Sequence, residues 1–437
     1  MASEMHLGHL VDKPVNTPLV TDLREDLHDF AGRTADWEHP YLTVTLDYRP
    51  DGARPNHRPG TQWLDEQEKR LREDYGPRGP LYDAAVEGLK ELRDALGDMG
   101  DPVPQGIIAV LQPGGGDSLI LPLAVAPRNS VTVSATPALF EIASVQDAAE
   151  PFAVLIADTK QAFIHVFALG TRERDVEMHG QPRGGKVNPG AKSMDFHEKT
   201  ALNSREQEIA DFAKGIAEEV RVVMDEVDVR RLIIASDDQF TASLIEHFPK
   251  ELHTTVIGTI KADIRDTPAQ LLRLALPIIH EAERAQEDDV CEQLATGAQE
   301  PHGLAVWGIA DTLAALETGQ VLTLVMATDF SAAGWADEAM GMTGAGHVPT
   351  EHPAGGNVAD LRPVDLREEF VRMALLSAVG TEFVNLRETG PVTESVDEAA
   401  ASDTGARGGA VAALADHEGV GALLRFRLDV DQTVPNM

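Results

Sequence analysis

The chain has 437 residues, with 72 Asp plus Glu against 37 Lys plus Arg, a formal net charge of −35 and a single cysteine, Cys291. That length exceeds one compact core and implies two to four domains, while one cysteine excludes an internal disulfide or a cysteine-based zinc cluster and fits a reducing cytosol. The start, MASEMHLGHLVDK, has no basic region leading into an apolar run, and no stretch reaches the apolar length of a membrane span, so a cytoplasmic protein without a membrane segment is expected.

In chain order, TPLVTDLREDLHDF repeats apolar residues at helical spacing, and YLTVTLDYR (41–49) alternates with β-branched and aromatic residues as a strand does. TQWLDEQEKRLREDYG and LYDAAVEGLKELRDALG read as helices. GIIAVLQ and SLILPLAVAP read as a hairpin across PGGGD, whose glycines supply turn conformations. VTVSATPALFEIAS follows. A second part starts near Pro151 with the strands FAVLIAD and AFIHVFALG, then a basic glycine-rich loop, then a helix for which Ser204 and Gln207 form a potential capping box. Its apolar stripe runs from Ile209 through Phe212, Ile216, Val220 and Val223 to Val227. RLIIAS, a helix through Leu244, TTVIGTI and a long helix from Pro268 continue an alternating α/β pattern, with EDD (287–289) and TGAQEPHG (296–303) read as the connection out.

The third part begins with a helix from about Ala310 to Glu317, stopped by Gly319 and followed by a buried strand. Residues 331–362, rich in Gly, Ala and His, read as a loop or insertion. DLREEFVRMALLSAVG is a helix, TEFVNLR a strand, TESVDEAAASDTGARGG a mobile stretch and LLRFRLDV a closing strand.

No serine-hydrolase elbow, Walker loop or zinc-protease helix is present in the sequence. PGGGDS precedes a strand, whereas a phosphate loop needs a helix N-terminus there. The histidine pairs HLGH (6–9) and HVPTEH (347–352) lack a third ligand and read as exposed loop histidines, so no metal is expected. Cys291 lies among acidic residues, which disfavour a reactive thiolate.

One stretch stands apart. HGQPRGGKVNPG (179–190) and the residues up to Ser193 carry Arg183, Lys186 and Lys192 with no acidic residue. Gly184, Gly185 and Gly190 permit backbone conformations closed to other residues, and Gln181 and Asn188 add amides. Such a segment suits a narrow, phosphate-lined space; a surface loop without a partner is the plainer alternative. Arg49, Arg54 and Arg58, in the Pro-rich RPDGARPNHRPG (49–60), form a second basic stretch that reads equally well as an exposed turn. The strong acidity, whether for solubility or for a salty cytoplasm, means that any nucleic-acid contact has to be local.

Asp311, Thr312, Leu316, Gly319 and Val321 in GIADTLAALETGQVLTLVMATDF, and Gly419, Val420, Gly421, Ala422, Leu423, Leu424 and Arg425 in EGVGALLRFRLDV, resemble the third-domain patterns of the class I peptide release factor of eukaryotes and archaea, and especially of its bacterial relatives. The order hairpin, strand pair, basic glycine loop, long helix is similar to that family's first two domains. The resemblance implies three consecutive α/β (mixed α+β) domains at 1–148, 149–299 and 300–437, with an insertion around 331–362 and an α/β/α ribosomal-protein-like RNA-binding third domain.

In release factors the second domain carries a Gly-Gly-Gln loop into the peptidyl-transferase centre. Here Gly184 and Gly185 are followed by Lys186, whose ammonium donates but cannot accept, unlike a glutamine amide. The stop-codon-reading Asn-Ile-Lys-Ser and Tyr-x-Cys-x-x-x-Phe stretches are missing. The resemblance therefore points to the hibernation-factor (Balon-like) branch: a non-catalytic factor in the ribosomal A site, beside elongation factor Tu in some cases, with no cofactor and no small-molecule substrate. Arg183, Gly184, Gly185, Lys186, Asn188, Gly190 and Lys192, with Arg54 and Arg58, would contact rRNA. The alternative is a peptidyl-tRNA hydrolase or rescue release factor in which Gln181 or backbone N–H groups position water; a third is an RNA-binding adaptor acting away from the ribosome.

Overall fold

The computed structural model describes residues 9–14, 22–35, 39–50, 58–99, 104–113, 118–169, 171–179, 194–235, 238–300, 302–337, 339–389 and 403–428. They form a mixed α/β fold divided into two compact units, one of Met1–Thr21 with Ala149–Ala282 and one of Asp22–Ala148 with Glu283–Met437. β1 (His9–Pro14) belongs to the first unit.

The second unit opens with α1 (Arg24–Ala31), whose first turn carries Glu25 and Asp26, the charge sign a helix N-terminus favours. β2 (Tyr41–Asp47) is followed by α2 (Pro59–Tyr75) and α3 (Pro80–Asp98), both with proline in the first turn, where its missing N–H costs nothing. β3 (Gly106–Leu111), β4 (Ser118–Leu123) and β5 (Ser130–Ser134) complete an antiparallel sheet of order β4-β3-β2-β5. β3 and β4 are thus the two arms of the expected hairpin. Leu64, Leu71, Leu89 and Leu92 of the helices close over Leu42, Val44, Leu46 and Ile107 of the sheet. At Gly88 the approach of α3 is close: a Cβ there would lie 2.7 Å from a Leu42 methyl. α4 (Phe140–Ala148) ends this part.

The first unit continues with β6 (Phe152–Ala157), β7 (Gln161–Ala168), β8 (Thr171–His179) and α5 (Met194–Glu226), then β9 (Arg231–Ala235), α6 (Asp238–Glu246), α7 (Lys250–Thr255), β10 (Val256–Ile260) and α8 (Pro268–Gln299). The sheet order is β1-β8-β7-β6-β9-β10, antiparallel from β1 to β6 and parallel from β6 to β10. One face packs Ile164, Val166, Val176 and Met178 against the α5 stripe of Phe212, Ile216, Val220 and Val223. The other packs Val154, Ile156 and Ile233 against Leu271, Ala275 and Ile279 of α8.

Three expectations are corrected in this stretch. β8 was not anticipated, because RERDVEMH shows Val176 and Met178 as its apolar pair; both are buried because β8 is an interior strand. α5 begins at Met194, so Ser204 stands within the helix and does not start it; a serine in a helix costs only a fraction of a kcal/mol, about 0.5, and does not stop it. α8 runs through 287–289 to Gln299, so the acidic EDD is helical and the connection out is shorter.

The second unit resumes with β11 (Ala305–Trp307), α9 (Gly308–Glu317) and β12 (Val321–Ala327). Gly319 stops α9 as expected, at φ +68°. Residues 331–362 are not a plain loop. β13 (Ala333–Asp337), β14 (Met342–Ala345) and β15 (Arg362–Asp365) form a small antiparallel sheet of order β14-β13-β15. The glycines that suggested a loop permit close packing: a Cβ on Gly344 would fall 2.2 Å from the Trp335 ring. α10 (Leu366–Leu376), β16 (Gly380–Val384), β17 (Arg387–Thr389), β18 (Asp403–Ala406), α11 (Gly409–Asp416) and β19 (Val420–Leu424) follow. The main sheet here has the order β11-β19-β12-β16. The stretch read as mobile contains β18, and most of the rest of it lies outside the described residues; the closing strand is VGALL and ends before Arg425.

The two chain segments of the second unit are fastened by polar bonds. Glu368 of α10 accepts from Leu139 N at 2.6 Å and Phe140 N at 2.8 Å, supplying the N-terminus of α4 with an acceptor its own sequence lacks. Arg367 lies 4.7 Å over the Phe140 ring, and Phe140 meets Phe383 edge-on at 5.1 Å. Asp147 accepts from Phe383 N at 3.0 Å. Burial pushes the Glu368 carboxyl above the ordinary range, against the pull of the two N–H donors and Arg367. Replacing Glu368 by Ala orphans two N–H groups and is expected to cost about 1–3 kcal/mol in urea unfolding. Glu368→Gln keeps an acceptor and should retain most of that stability; equal losses in both variants would contradict the capping role.

Candidate functional site

The segment that carries Arg183, Gly184, Gly185, Lys186, Asn188, Gly190 and Lys192 lies outside the described residues; its frame does not. It leaves from β8, which is paired on both sides up to its last residue: His179 is opposite Gln161 of β7 and His9 of β1. It returns at Met194, the first residue of α5. The α5 stripe seats that helix on the same sheet, and Arg174 of β8 donates to Glu226 at the far end of α5 at 2.7 Å. Residues 180–193 thus join a strand paired on both sides to a helix whose later turns, from Ile209 on, pack on the same sheet.

Beside this frame His165 of β7 is opposite Asp175 of β8, with Nδ1 2.8 Å from Oδ1. The carboxylate can only accept, so Nδ1 carries the proton and the tautomer is set. His165 is buried, with Phe163 and Phe167 on either side along the strand. The pair braces β7 against β8. Sequence reasoning missed it because the two residues meet through strand register, which no local pattern encodes.

Residues 137–284 match the model of bacterial archaeo-eukaryotic release factor family 10. The match contains β6 to β10, α5 and the segment between β8 and α5, but not β1. No curated protein matches the chain. Among solved structures the chain is similar to the archaeal translation termination factor aRF1, 16% identical over 92% of this chain and 98% of that one with a TM-score of 0.24. It is similar also to Archaeoglobus fulgidus Pelota, 14% identical over 74% and 80% with a TM-score of 0.32. A third is S. cerevisiae Dom34, a translation termination-like factor involved in RNA quality control pathways and interacting with Hbs1: 10% identical over 97% and 99%, TM-score 0.39.

Of the second basic stretch, Arg54 lies outside the described residues. Arg58 directly precedes α2; it donates to the Tyr48 carbonyl at 2.6 Å and covers the Tyr48 ring at 4.4 Å. Arg49 forms a fork with Asp47, the closest contact being 2.6 Å. Both guanidiniums thus have local partners that hold them in place.

Of the histidine pairs, His9 lies in β1 and His6 outside the described residues, while His347 is exposed. His352 is not an exposed loop histidine. Its side chain is 1% exposed, and Nε2 lies 2.9 Å from Asp337 Oδ2. Ala354 N donates to Nδ1 at 3.1 Å, so the ring is held as the Nε2–H tautomer. The pair ties the 346–361 stretch to β13. Cys291 is buried against Leu294 and Val411, and burial pushes its thiol up to about 12. The His352 hydrogen bond holds the Asp337 carboxyl below its ordinary range. The folded protein therefore takes up that proton later than the unfolded chain as acid is added. The stabilisation lost in Asp337→Ala should be full at neutral pH and shrink as pH falls below about 4. Urea titrations of both proteins across that range measure it; a gap that widens in acid would contradict the assignment.

Proposed function

We propose that the protein is a ribosome-binding factor that fills the A site without catalysing release, in hibernation or stress protection. The observation that carries the reading is the position of Gly184-Gly185-Lys186 in the segment joining β8 to α5, inside the release-factor family match. A segment with three cations and no carboxylate suits a cleft of rRNA phosphates, where Arg183, Lys186 and Lys192 replace condensed counterions and glycines let backbone N–H groups approach. Lys186 stands where a release factor places glutamine. Its ammonium cannot accept a hydrogen bond from an attacking water, so the tip occupies and shields the site. On this reading the chain works in the cytoplasm as three parts, 1–148, 149–299 and 300–437, and elongation factor Tu is a candidate neighbour.

The double variant Arg183→Ala/Lys186→Ala should lose about tenfold or more in ribosome affinity, with a shallower salt dependence, while its circular dichroism stays native. Cosedimentation with vacant ribosomes at several salt concentrations reads both effects, and unchanged binding would remove the segment from the interface. With ribosomes carrying labelled peptidyl-tRNA, the native protein should bind stoichiometrically and leave the ester intact. Lys186→Gln should not create stop-codon-dependent release, since codon-reading motifs are missing. Turnover by the native protein would favour a hydrolase or rescue factor instead.

A further inference from the structure

Glu141 stands in the first turn of α4 with its side chain 10% exposed, and among the described residues its carboxylate accepts no hydrogen bond. Two guanidiniums come near and stop short of bonding distance: Arg367 Nη1 lies 3.6 Å and Arg128 Nη1 3.9 Å from Oε1. Each is engaged elsewhere. Arg128 donates to the Thr328 carbonyl at 3.1 Å, and Arg367 Nη2 lies 3.3 Å from Glu368 Oε1. Glu368 already holds the N–H groups of Leu139 and Phe140, the donors that the start of α4 offers an anion. Two carboxylates thus share one guanidinium at one helix end, and Glu368 takes the backbone donors while Glu141 has none.

A carboxylate taken out of water without a bonded donor is costly, and two that share a cation hold one proton more readily than either does alone. Burial accordingly pushes the Glu141 carboxyl above its ordinary range, against the pull of Arg128 and Arg367, and pushes Glu368 the same way. Other charged groups on the elements packed here have their own partners. Asp365 lies 3.8 Å from Arg367 Nε, Glu369 is forked to Arg372, Asp147 accepts from Phe383 N, and Glu382 of β16 accepts from Gln286. Asp329 follows Thr328 and is exposed. From α1, His28 puts Nδ1 3.2 Å from Leu375 O, and half-buried Asp26 has Glu25, Asp29 and Arg33 about it. None of these gives Glu141 a hydrogen bond.

We propose that Glu141 is the proton acceptor of a pH-operated clasp: in mild acid it takes up a proton and seats α4, and with it residues 22–148, more firmly on α10 and β16. The clasp lies within the second unit and works whether or not residues 180–193 enter the ribosome. With the joint open, Glu141 is in water and titrates near its ordinary value, about 4.5; with the joint closed it binds the proton more tightly, so each proton bound favours closure. The gain is complete below about 4.5 and fades as pH rises through the higher value of the closed joint.

Three N–H groups donated across the joint, those of Leu139, Phe140 and Phe383, report its opening by amide hydrogen exchange in the full chain. Corrected for intrinsic exchange, their protection in the native protein should rise about threefold from about pH 7 to about pH 5. Glu141→Gln places a neutral side chain of the same size there. Its protection at neutral pH should already match that of the native protein in acid and change no further, while the amides of β9 in the other unit stay alike in both proteins. Arg128→Ala removes one pull on the charged form and should move the native rise to higher pH, a readout that survives even if Glu141→Gln folds poorly. Lower protection in Glu141→Gln at neutral pH, or an equal rise in both proteins, would overturn the proposal. So would a rise in Arg128→Ala at unchanged or lower pH. A response that persists in Glu141→Gln and disappears in Glu368→Gln or His28→Asn assigns the proton to those residues, and overturns it too.

Discussion

A chain with 72 carboxylates and 37 Lys plus Arg has too few cations to neutralise its acids one by one, and the fold is organised around that shortage. Cations are shared. Arg407 reaches both Glu287 and Asp288, Arg93 reaches Asp65 and Glu68, and Arg367 reaches Glu141, Asp365 and Glu368. Three carboxylates, two of them Arg367 partners, also accept from backbone N–H groups at helix starts, where the positive end of the helix dipole adds to the side-chain cations. Glu368 does this for α4, Glu418 for α9 through Ile309 N at 2.9 Å, and Asp365 for α10 through Arg367 N at 2.9 Å. The acidic excess thereby becomes a capping resource. Against that excess, the stretch 180–193 carries three cations and no acid.

Much of the architecture was legible because apolar periodicity survives the acidity. The β3–β4 hairpin, the β6–β7 pair and the α5 stripe from Ile209 to Met224, with Val227 just past the helix end, all lie where their patterns place them. The misses have a common cause. β8 and the small β13–β15 sheet are strands whose identity comes from neighbours: β8 is strand because β7 and β1 flank it, and Gly334 and Gly344 serve packing against Leu366 and Trp335. The acidic run in α8 reads as a break until Arg407, far along the chain, is brought to Glu287 and Asp288. Local composition does not contain such partners.

Of the candidate site, the sequence displays the residue types and not the elements that flank them. Glycines and cations at 183–192 are plain in the composition, whereas the ends of β8 and α5 and the His165–Asp175 brace are not. That brace requires the register of two strands. His352 shows the same limit in reverse: a histidine in a glycine-rich, polar stretch looks solvent-facing until Asp337 is placed 2.9 Å away.

The unit formed by 22–148 and 283–437 is interrupted by another complete sheet. During synthesis its early portion emerges with the start of α4 lacking the Glu368 cap, which arrives 228 residues later. The β4-β3-β2-β5 sheet with α2 and α3 has its own core and can collapse at once. Phe140, however, waits for Phe383 and Arg367 with its apolar face unshielded. Closure of the discontinuous unit thus depends on contacts of high sequence separation, the kind that form slowly. The second unit therefore closes only once residues 367–383 have followed the whole of the intervening sheet.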